Sequence, residues 1–298
     1  MSSLPDLSAS ALDPEALLEQ LDRQLPRPSS YWVGYSGGLD STVLLHLLAS
    51  LRPRLAAPLS AIHVDHALQR ESAAWAEHCG RVCAELEIPL HSLRVDAASK
   101  SGESPEAAAR QARYAAIAQV LGTEAMLLTA HHRDDQVETL LLQMIRGAGV
   151  EGLSAMPAVR SWNRGWLARP LLAVRRESIR AWAEARGLHW VEDPSNMAGA
   201  ADRNFLRHQV IPAIDARWPG AVPSMARSAA HCADAAGILR SVAERDLRDV
   251  SVADRLALSR LRDLPPARSR NLLRQWLREH QAPPLSARRL QDALEQLC

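Results

Sequence analysis

Between residues 31 and 146 a short apolar run followed by a longer segment of helical period recurs four times, and this alternation decides the architecture. Tyr31-Trp32-Val33-Gly34-Tyr35 reads as a buried strand; the polar turn Ser36-Gly37-Gly38-Leu39-Asp40-Ser41 follows and opens a helix with a broad apolar stripe, Thr42 to Leu48. Leu59 to Val64 is a strand ending at Asp65, 71–87 a helix, Pro89 to Val95 a strand, and 104–121 an Ala-rich helix with Ser104 as N-cap and Pro105 at its first position. Ala125 to Ala130 is a strand and 133–146 a helix. Parallel strands need such crossovers, and the helices then cover both faces of the sheet. Ligands of these sheets bind beyond the carboxyl ends of the strands. The polar clusters at 36–41, 63–66 and 131–138 all fall at such ends, so they are read as one site.

The expected fold class is α/β, with a parallel-sheet catalytic domain over residues 1–218 and a smaller all-helical domain over 219–298. Residues 13–24 form an amphipathic helix on the edge of the first domain. The Gly- and Pro-rich stretch 147–174 is read as irregular, 175–187 as helix, and Glu192-Asp193-Pro194-Ser195-Asn196 as a polar turn before a helix from about Arg203. From about 222 the pattern is helical with no strand candidate. Four cysteines, Cys79, Cys83, Cys232 and Cys298, supply neither a disulfide framework nor a zinc ribbon and read as reduced structural thiols. No signal-peptide pattern is found, and no apolar run approaches the ~18 residues of a membrane span. The expectation is a cytoplasmic protein with no membrane partner.

The turn 36–41 carries the strongest chemistry. Gly37 and Gly38 let a ligand approach the backbone, Ser36 and Ser41 add hydroxyls, and the helix N-terminus behind them favours an anion. Asp40 would repel a bare phosphate, which implies a bridging Mg²⁺. The pattern is not a Walker A loop. At the end of the second strand, His63 sits where backbone and polar side chains could hold an adenine; an ordinary strand-end histidine is the competing reading. In His131-His132-Arg133-Asp134-Asp135-Gln136-Val137-Glu138, Asp135 and Glu138 lie three apart on one helical face, suited to an ammonium group or a metal, against the alternative of a helix cap with a solvated face.

SGGLDS resembles the PP-loop of the N-type ATP pyrophosphatases. The ordered set HVDHALQ, Arg110-Gln111-Ala112-Arg113-Tyr114, AHHRDDQVET, Arg146-Gly147-Ala148-Gly149 through Gly152-Leu153, Arg169-Pro170-Leu171-Leu172, and Asp193-Pro194-Ser195-Asn196 before Arg203-Asn204 resembles that of the tRNA(Ile)-lysidine synthetases over roughly residues 30–215. The resemblance implies ATP and Mg²⁺ as cofactors, with Ser36, Gly37, Gly38, Leu39, Asp40 and Ser41 on the phosphates and Asp40 tied to the metal. It places His131 with Arg110 or Arg113 at the phosphates or the adenylated base, and Asp135 and Glu138 on the lysine substrate. Arg169, Asp193, Asn196, Arg203 and Arg207 fall to the tRNA and substrate side. The implied reaction adenylates the C2 oxygen of the wobble cytidine of tRNA(Ile) with a CAU anticodon; L-lysine then displaces AMP. Family members often pair, so a second copy of the chain is a candidate partner. Ala67 stands where the family usually has Gly. Many members also carry a further C-terminal domain, whereas this sequence ends at Cys298.

The net charge of +1 says nothing about nucleic acid by itself. Between 160 and 217, however, ten Arg face six acidic residues, and Trp162, Trp166, Trp182 and Trp190 are interleaved. Arg for phosphates with aromatics for splayed bases is an RNA-binding combination; core tryptophans among solvated arginines are the competing reading. Asparagine synthetases share SGGLDS but begin with a nucleophilic Cys and a glutaminase domain, for which Ser2 and a loop near residue 36 leave no room. The tRNA thiolation enzymes use CxxC pairs, which Cys79 and Cys83 do not make. A non-catalytic nucleotide- or RNA-binding relative would not need Asp40, His131, Asp135 and Glu138 together.

Overall fold

In the computed structural model, which describes residues 12–24, 27–65, 72–95, 105–192, 202–252, 255–283 and 285–297, the alternation becomes a six-stranded sheet. The first stretch runs α1 (Pro14–Gln24), β1 (Ser30–Gly34), α2 (Leu39–Leu51), β2 (Leu59–Asp65), α3 (Ser72–Glu85), β3 (Leu90–Arg94), α4 (Pro105–Val120), β4 (Ala125–Leu128) and α5 (Arg133–Ile145). Then come α6 (Val150–Leu153), β5 (Val159–Trp162), β6 (Gly165–Ala168), α7 (Arg176–Glu184), α8 (Asp202–Phe205), a π-helical turn (Leu206–Val210) and α9 (Ile211–Arg217). The chain continues through α10 (Ala221–Val250), β7 (Ser251–Val252), β8 (Arg255–Leu256), α11 (Leu258–Arg262), α12 (Pro266–Glu279) and α13 (Ala287–Leu297).

The sheet order is β3-β2-β1-β4-β6-β5, and every pair is parallel except β5–β6. The α/β fold with a helical C-terminal region is thus the one expected. The stretch 147–174 is more regular than its composition suggests, since it holds α6 and the β5–β6 hairpin; pairing of β6 with β4, and of β5 with β6, makes strands of two four-residue segments too short to show a period. Likewise the region beyond 222 contains the two-residue ladder β7–β8. In the sheet, chain order reverses between β1 and β4. A crevice opens outside the carboxyl ends of strands at such a reversal.

Two faces bury different clusters. On one, Val33, Leu44, Leu47, Leu48 and Met126 pack with Ile179 and Trp182. On the other, Ile62, Leu127 and Leu167 pack against Ile117 of α4 and Leu121 just after it. α2 is buried along most of its length because it crosses the sheet centre. By compactness the chain divides into a unit of 1–142 with 156–226 and a unit of 143–155 with 227–298. The second has its own core, Leu247, Val250, Leu261, Leu272, Leu273, Leu290 and Leu294, and a fully buried Asp246 carboxylate gripped by Arg268. No helix among the described residues is long and apolar enough to cross a membrane.

Candidate active site

The turn after β1 is built by its own side chains. Ser41 Oγ accepts the Ser36 N–H at 3.2 Å, donates to the Gly38 carbonyl at 3.0 Å and lies 3.0 Å from Ser36 Oγ. Gly37 has φ +79°, and a Cβ there would stand 3.0 Å from Cys79 Sγ of α3, so glycine is required on two counts. Burial pushes the Cys79 thiol up to about 12, which keeps it a neutral packing group. The Val191 N–H donates to the Gly37 carbonyl at 2.9 Å, so the segment just before residue 193 is tied to the turn. The first N–H groups of α2 have no intrahelical partners, and Gly38, Leu39, Asp40 and Ser41 line the crevice.

The second half of the site is the start of α5. The Asp135 carboxylate accepts the His132 N–H at 2.9 Å as a cap. His132 is 2% exposed and stands among three carboxylates: Asp135 at 3.4 Å, Asp134 at 3.5 Å and Asp40 at 3.8 Å. Burial alone would lower its pKa, yet Asp134, Asp135 and Asp40 together raise it. Asp134 also accepts the Arg176 N–H at the start of α7, at 3.0 Å. Burial pushes the Asp40 carboxyl above the usual carboxylate range, against the pull of His132 and Arg176. Asp40 Oδ1 and Arg176 Nε face each other at 3.9 Å, and both are buried without a hydrogen bond among the described residues.

Glu138, 0% exposed, receives a two-pronged contact from Arg207: Nε to Oε1 at 2.6 Å and Nη2 to Oε2 at 3.0 Å. The same Nη2 reaches Asp135 Oδ1 at 3.0 Å. Arg203 donates to Thr139 Oγ1 at 3.0 Å. Burial pushes Glu138 up and Arg207 only partly offsets it, whereas for Asp135 the histidines and Arg207 outweigh burial and the pKa falls. The acidic pair of α5 is therefore already bridged by a guanidinium. His131 lies 2.9 Å from Thr129 Oγ1, and burial lowers its pKa well below the ordinary value.

A cavity of ≈ 710 Å³ joins these parts. Its wall takes Ser36, Gly38, Leu39, Asp40 and Ser41 from the turn, Arg110 and Arg113 from α4, and His131, Asp135 and Arg207. Ile62, Val64, Ile117 and Leu127 give it an apolar side, and Arg176, Arg180 and Trp190 close it. Among the remaining expected residues, the His63 side chain turns to the opposite face of β2 from Ile62 and Val64. There its Nδ1 donates to the Tyr35 carbonyl at 2.9 Å. Arg169 is buried at the end of β6, its Nη1 on the Pro157 carbonyl at 2.7 Å. Asp193 and Asn196 lie outside the described residues, as do Ser104 and His66. Two contributors were not singled out in the sequence. His132 hides as the second of a histidine pair, and Arg176 sits in a helix start whose only signal is proximity to Arg169-Pro170-Leu171-Leu172.

The donor set suits a phosphate-bridging cation. No group of three or more His, Cys, Asp or Glu able to hold a metal ion occurs among the described residues. Mg²⁺, which is commonly held by one or two carboxylates plus substrate phosphates, fits the orphaned Asp40 Oδ1 beside an anion-binding turn.

The family model for the PP-loop domain matches residues 14–214, and that for the TilS substrate binding domain matches residues 256–298. The tRNA(Ile)-lysidine synthase of Alkalilimnicola ehrlichii is 47% identical over 297 residues, which is 100% of this chain and 65% of that protein. The enzyme of the same name from Pseudomonas aeruginosa is 50% identical over 264 residues, 84% of this chain and 59% of that protein; the one from Coxiella burnetii is 44% identical over 267 residues, 90% and 59% respectively. The chain thus spans roughly three fifths of the length of the curated relatives it matches. Among solved structures, the U34-tRNA thiolase NcsA from Methanococcus maripaludis superposes with a TM-score of 0.60 at 18% identity, covering 73% of this chain and 77% of that one.

Proposed function

We propose that this chain, which belongs to the PP-loop family, is an ATP-dependent ligase that forms lysidine at the wobble cytidine of tRNA(Ile) with a CAU anticodon. The observation that carries the reading is that one cavity is lined both by an anion-binding glycine turn and by the Asp135 carboxylate, which Arg207 bridges to the buried Glu138 behind it. The names of the relatives and the substrate-binding match at 256–298 support the choice of RNA and amino acid.

In this reading the N–H groups at the start of α2 and the hydroxyls of Ser36 and Ser41 hold the ATP phosphates, while the apolar side formed by Ile62, Val64, Ile117 and Leu127 takes the adenine. Mg²⁺ bound at Asp40 would supply charge neutralisation for the phosphates. The cytidine O2 attacks the α-phosphorus and pyrophosphate leaves; Arg110, Arg113 and Arg176 face the charge that develops there. Asp135 and Glu138 receive the lysine ε-ammonium, in place of or beside Arg207, and a carboxylate takes its proton before the amine attacks C2 and releases AMP. His131, neutral because it is buried, can donate or accept one hydrogen bond without adding charge. Asp193, Asn196 and Arg203 are proposed on the RNA side, whereas Arg169, buried on the Pro157 carbonyl, and Arg207, bound to Asp135 and Glu138, hold the site from within; the reaction is proposed to be cytoplasmic, and a homodimer rests on family behaviour alone.

The test is a transfer assay with Mg-ATP, labelled lysine and a tRNA(Ile) transcript with a CAU anticodon, beside a methionine tRNA with the same anticodon. Label in the first RNA and not the second, with AMP and pyrophosphate released, is the expected result. ATP cleavage to AMP and pyrophosphate without lysine incorporation would retain adenylation and sink lysidine formation.

A further inference from the structure

The β5–β6 hairpin, which carries the first part of the Arg and Trp pattern of residues 160–217, builds a basic and aromatic patch beside the cavity. Arg160 and Trp162 are two apart on β5, so they share one face. They lie opposite Leu167 and Gly165, and Leu167 packs against α4, so that face is the α4 side. Trp162 meets Tyr114 of α4 edge-to-face, with ring centroids 5.6 Å apart, and Arg110 lies 5.2 Å over the same Tyr114 ring. Arg110 and Tyr114 also line the cavity, so the patch is continuous with it. Arg160 and Arg110 are exposed, while Trp162 and Tyr114 are half-buried.

Arg169, two residues beyond Leu167, adds a cation beneath this face. It is 3% exposed, and its Nε has no hydrogen-bond partner among the described residues. Burial brings its pKa down to about 10, and Arg160 and Arg110 act in the same direction. Gathering three like charges costs energy in the free protein unless an anion offsets it. The mount is stiff: Asn163 at the hairpin tip donates to the Ala118 carbonyl of α4 at 3.0 Å, and the Glu124 N–H donates to the Arg164 carbonyl at 2.8 Å. A preformed patch loses little conformational freedom on binding.

We propose that Arg160, Trp162, Tyr114 and Arg110 form a seat for single-stranded RNA beside the reacting nucleotide, in which Arg160 takes a backbone phosphate, the aromatic pair takes an unstacked base, and Arg110 joins the seat to the cavity. The seat rests on the reading that the cavity modifies an RNA base. Cations beside partly accessible aromatic rings favour RNA, whose single-stranded loops offer splayed bases.

The test uses the full chain and a fluorescent CAU anticodon stem-loop, titrated at several salt concentrations, with ATP affinity measured in parallel. Arg160→Glu is expected to weaken RNA binding about tenfold and to reduce the slope of log Kd against log salt by roughly one, while Arg160→Lys keeps the slope. Trp162→Ala is expected to weaken binding about tenfold with the slope unchanged, and Trp162→Phe to retain most of the affinity. ATP affinity should stay at the wild-type value in all four. Because Arg160 is exposed, its variants carry the test even if Trp162→Ala does not fold. Wild-type RNA affinity and slope in Arg160→Glu would overturn the seat, as would failure of the unaltered chain to bind the stem-loop. Lysine transfer separates the two ideas. Transfer that is unaffected in Arg160→Glu removes the seat and keeps the reaction; RNA binding lost in the variants, from a wild type that transfers no lysine, keeps the seat and removes the reaction.

Discussion

Gly37 shows how tightly single residues determine this site. Its φ of +79° and the 3.0 Å approach of Cys79 Sγ are separate demands, and they can be separated by experiment. Gly37→Ala should cost about 1–2 kcal/mol for the left-handed backbone alone, plus a contact term, and should weaken ATP binding because the turn must shift. Adding Cys79→Ala should recover the contact term and leave the backbone term. Urea unfolding and ATP titration of both variants check this; full recovery in the double variant would mean that the positive φ carries no cost. The turn was legible because two consecutive glycines between a strand and a helix bare the backbone where a ligand must approach it, and the helix N-terminus behind them sets the sign of that ligand's charge. His132 was not, because a histidine's role depends on which carboxylates the fold brings to it, and Asp40 and Asp134 come from different elements. Arg207 was expected to face RNA, whereas its contact with Glu138 joins residues 69 apart in the chain, and no local pattern encodes that pairing.

At the scale of elements, the strands and helices from β1 to α5 could be read because short unbroken apolar runs, such as that of β4, alternate with long segments of helical period. The β5–β6 hairpin could not. Its strands have four residues each in a Gly- and Pro-rich stretch, so their identity comes from the pairing of β6 with β4 and of β5 with β6. Gly165 is the point of closest approach: a Cβ there would lie 2.1 Å from the Ala125 carbonyl oxygen and 2.9 Å from the Ala125 nitrogen. No side-chain adjustment relieves a clash with backbone, so Gly165→Ala must push β6 away from β4. We expect a loss of about 3 kcal/mol or more, at the upper end of overpacking costs, read as a lowered urea midpoint, with weaker RNA binding because Arg160 and Trp162 move with the hairpin. A variant as stable as the wild type would show that this edge of the sheet is not held as described.

For the molecule as a whole, the division into two compact units sets where ligand energy goes. Every residue lining the cavity belongs to the unit made of 1–142 and 156–226, while Leu261, Leu272 and Leu290 belong to a core wholly within the other unit. A ligand that binds only the folded state stabilises whatever must be folded to bind it, by about 2.7 kcal/mol at a hundredfold excess over Kd. Mg-ATP at that excess should therefore slow amide exchange in β1, β4 and the buried face of α2, at sites that exchange through unfolding of the first unit. Core amides of α12 and α13 should exchange at the ligand-free rate. Hydrogen exchange read by mass spectrometry resolves both sets in one experiment. Equal protection of the two cores would mean that they unfold as one cooperative body, and the helical region would then share in nucleotide binding through stability. Protection confined to the first unit leaves residues 227–298 energetically free of the nucleotide.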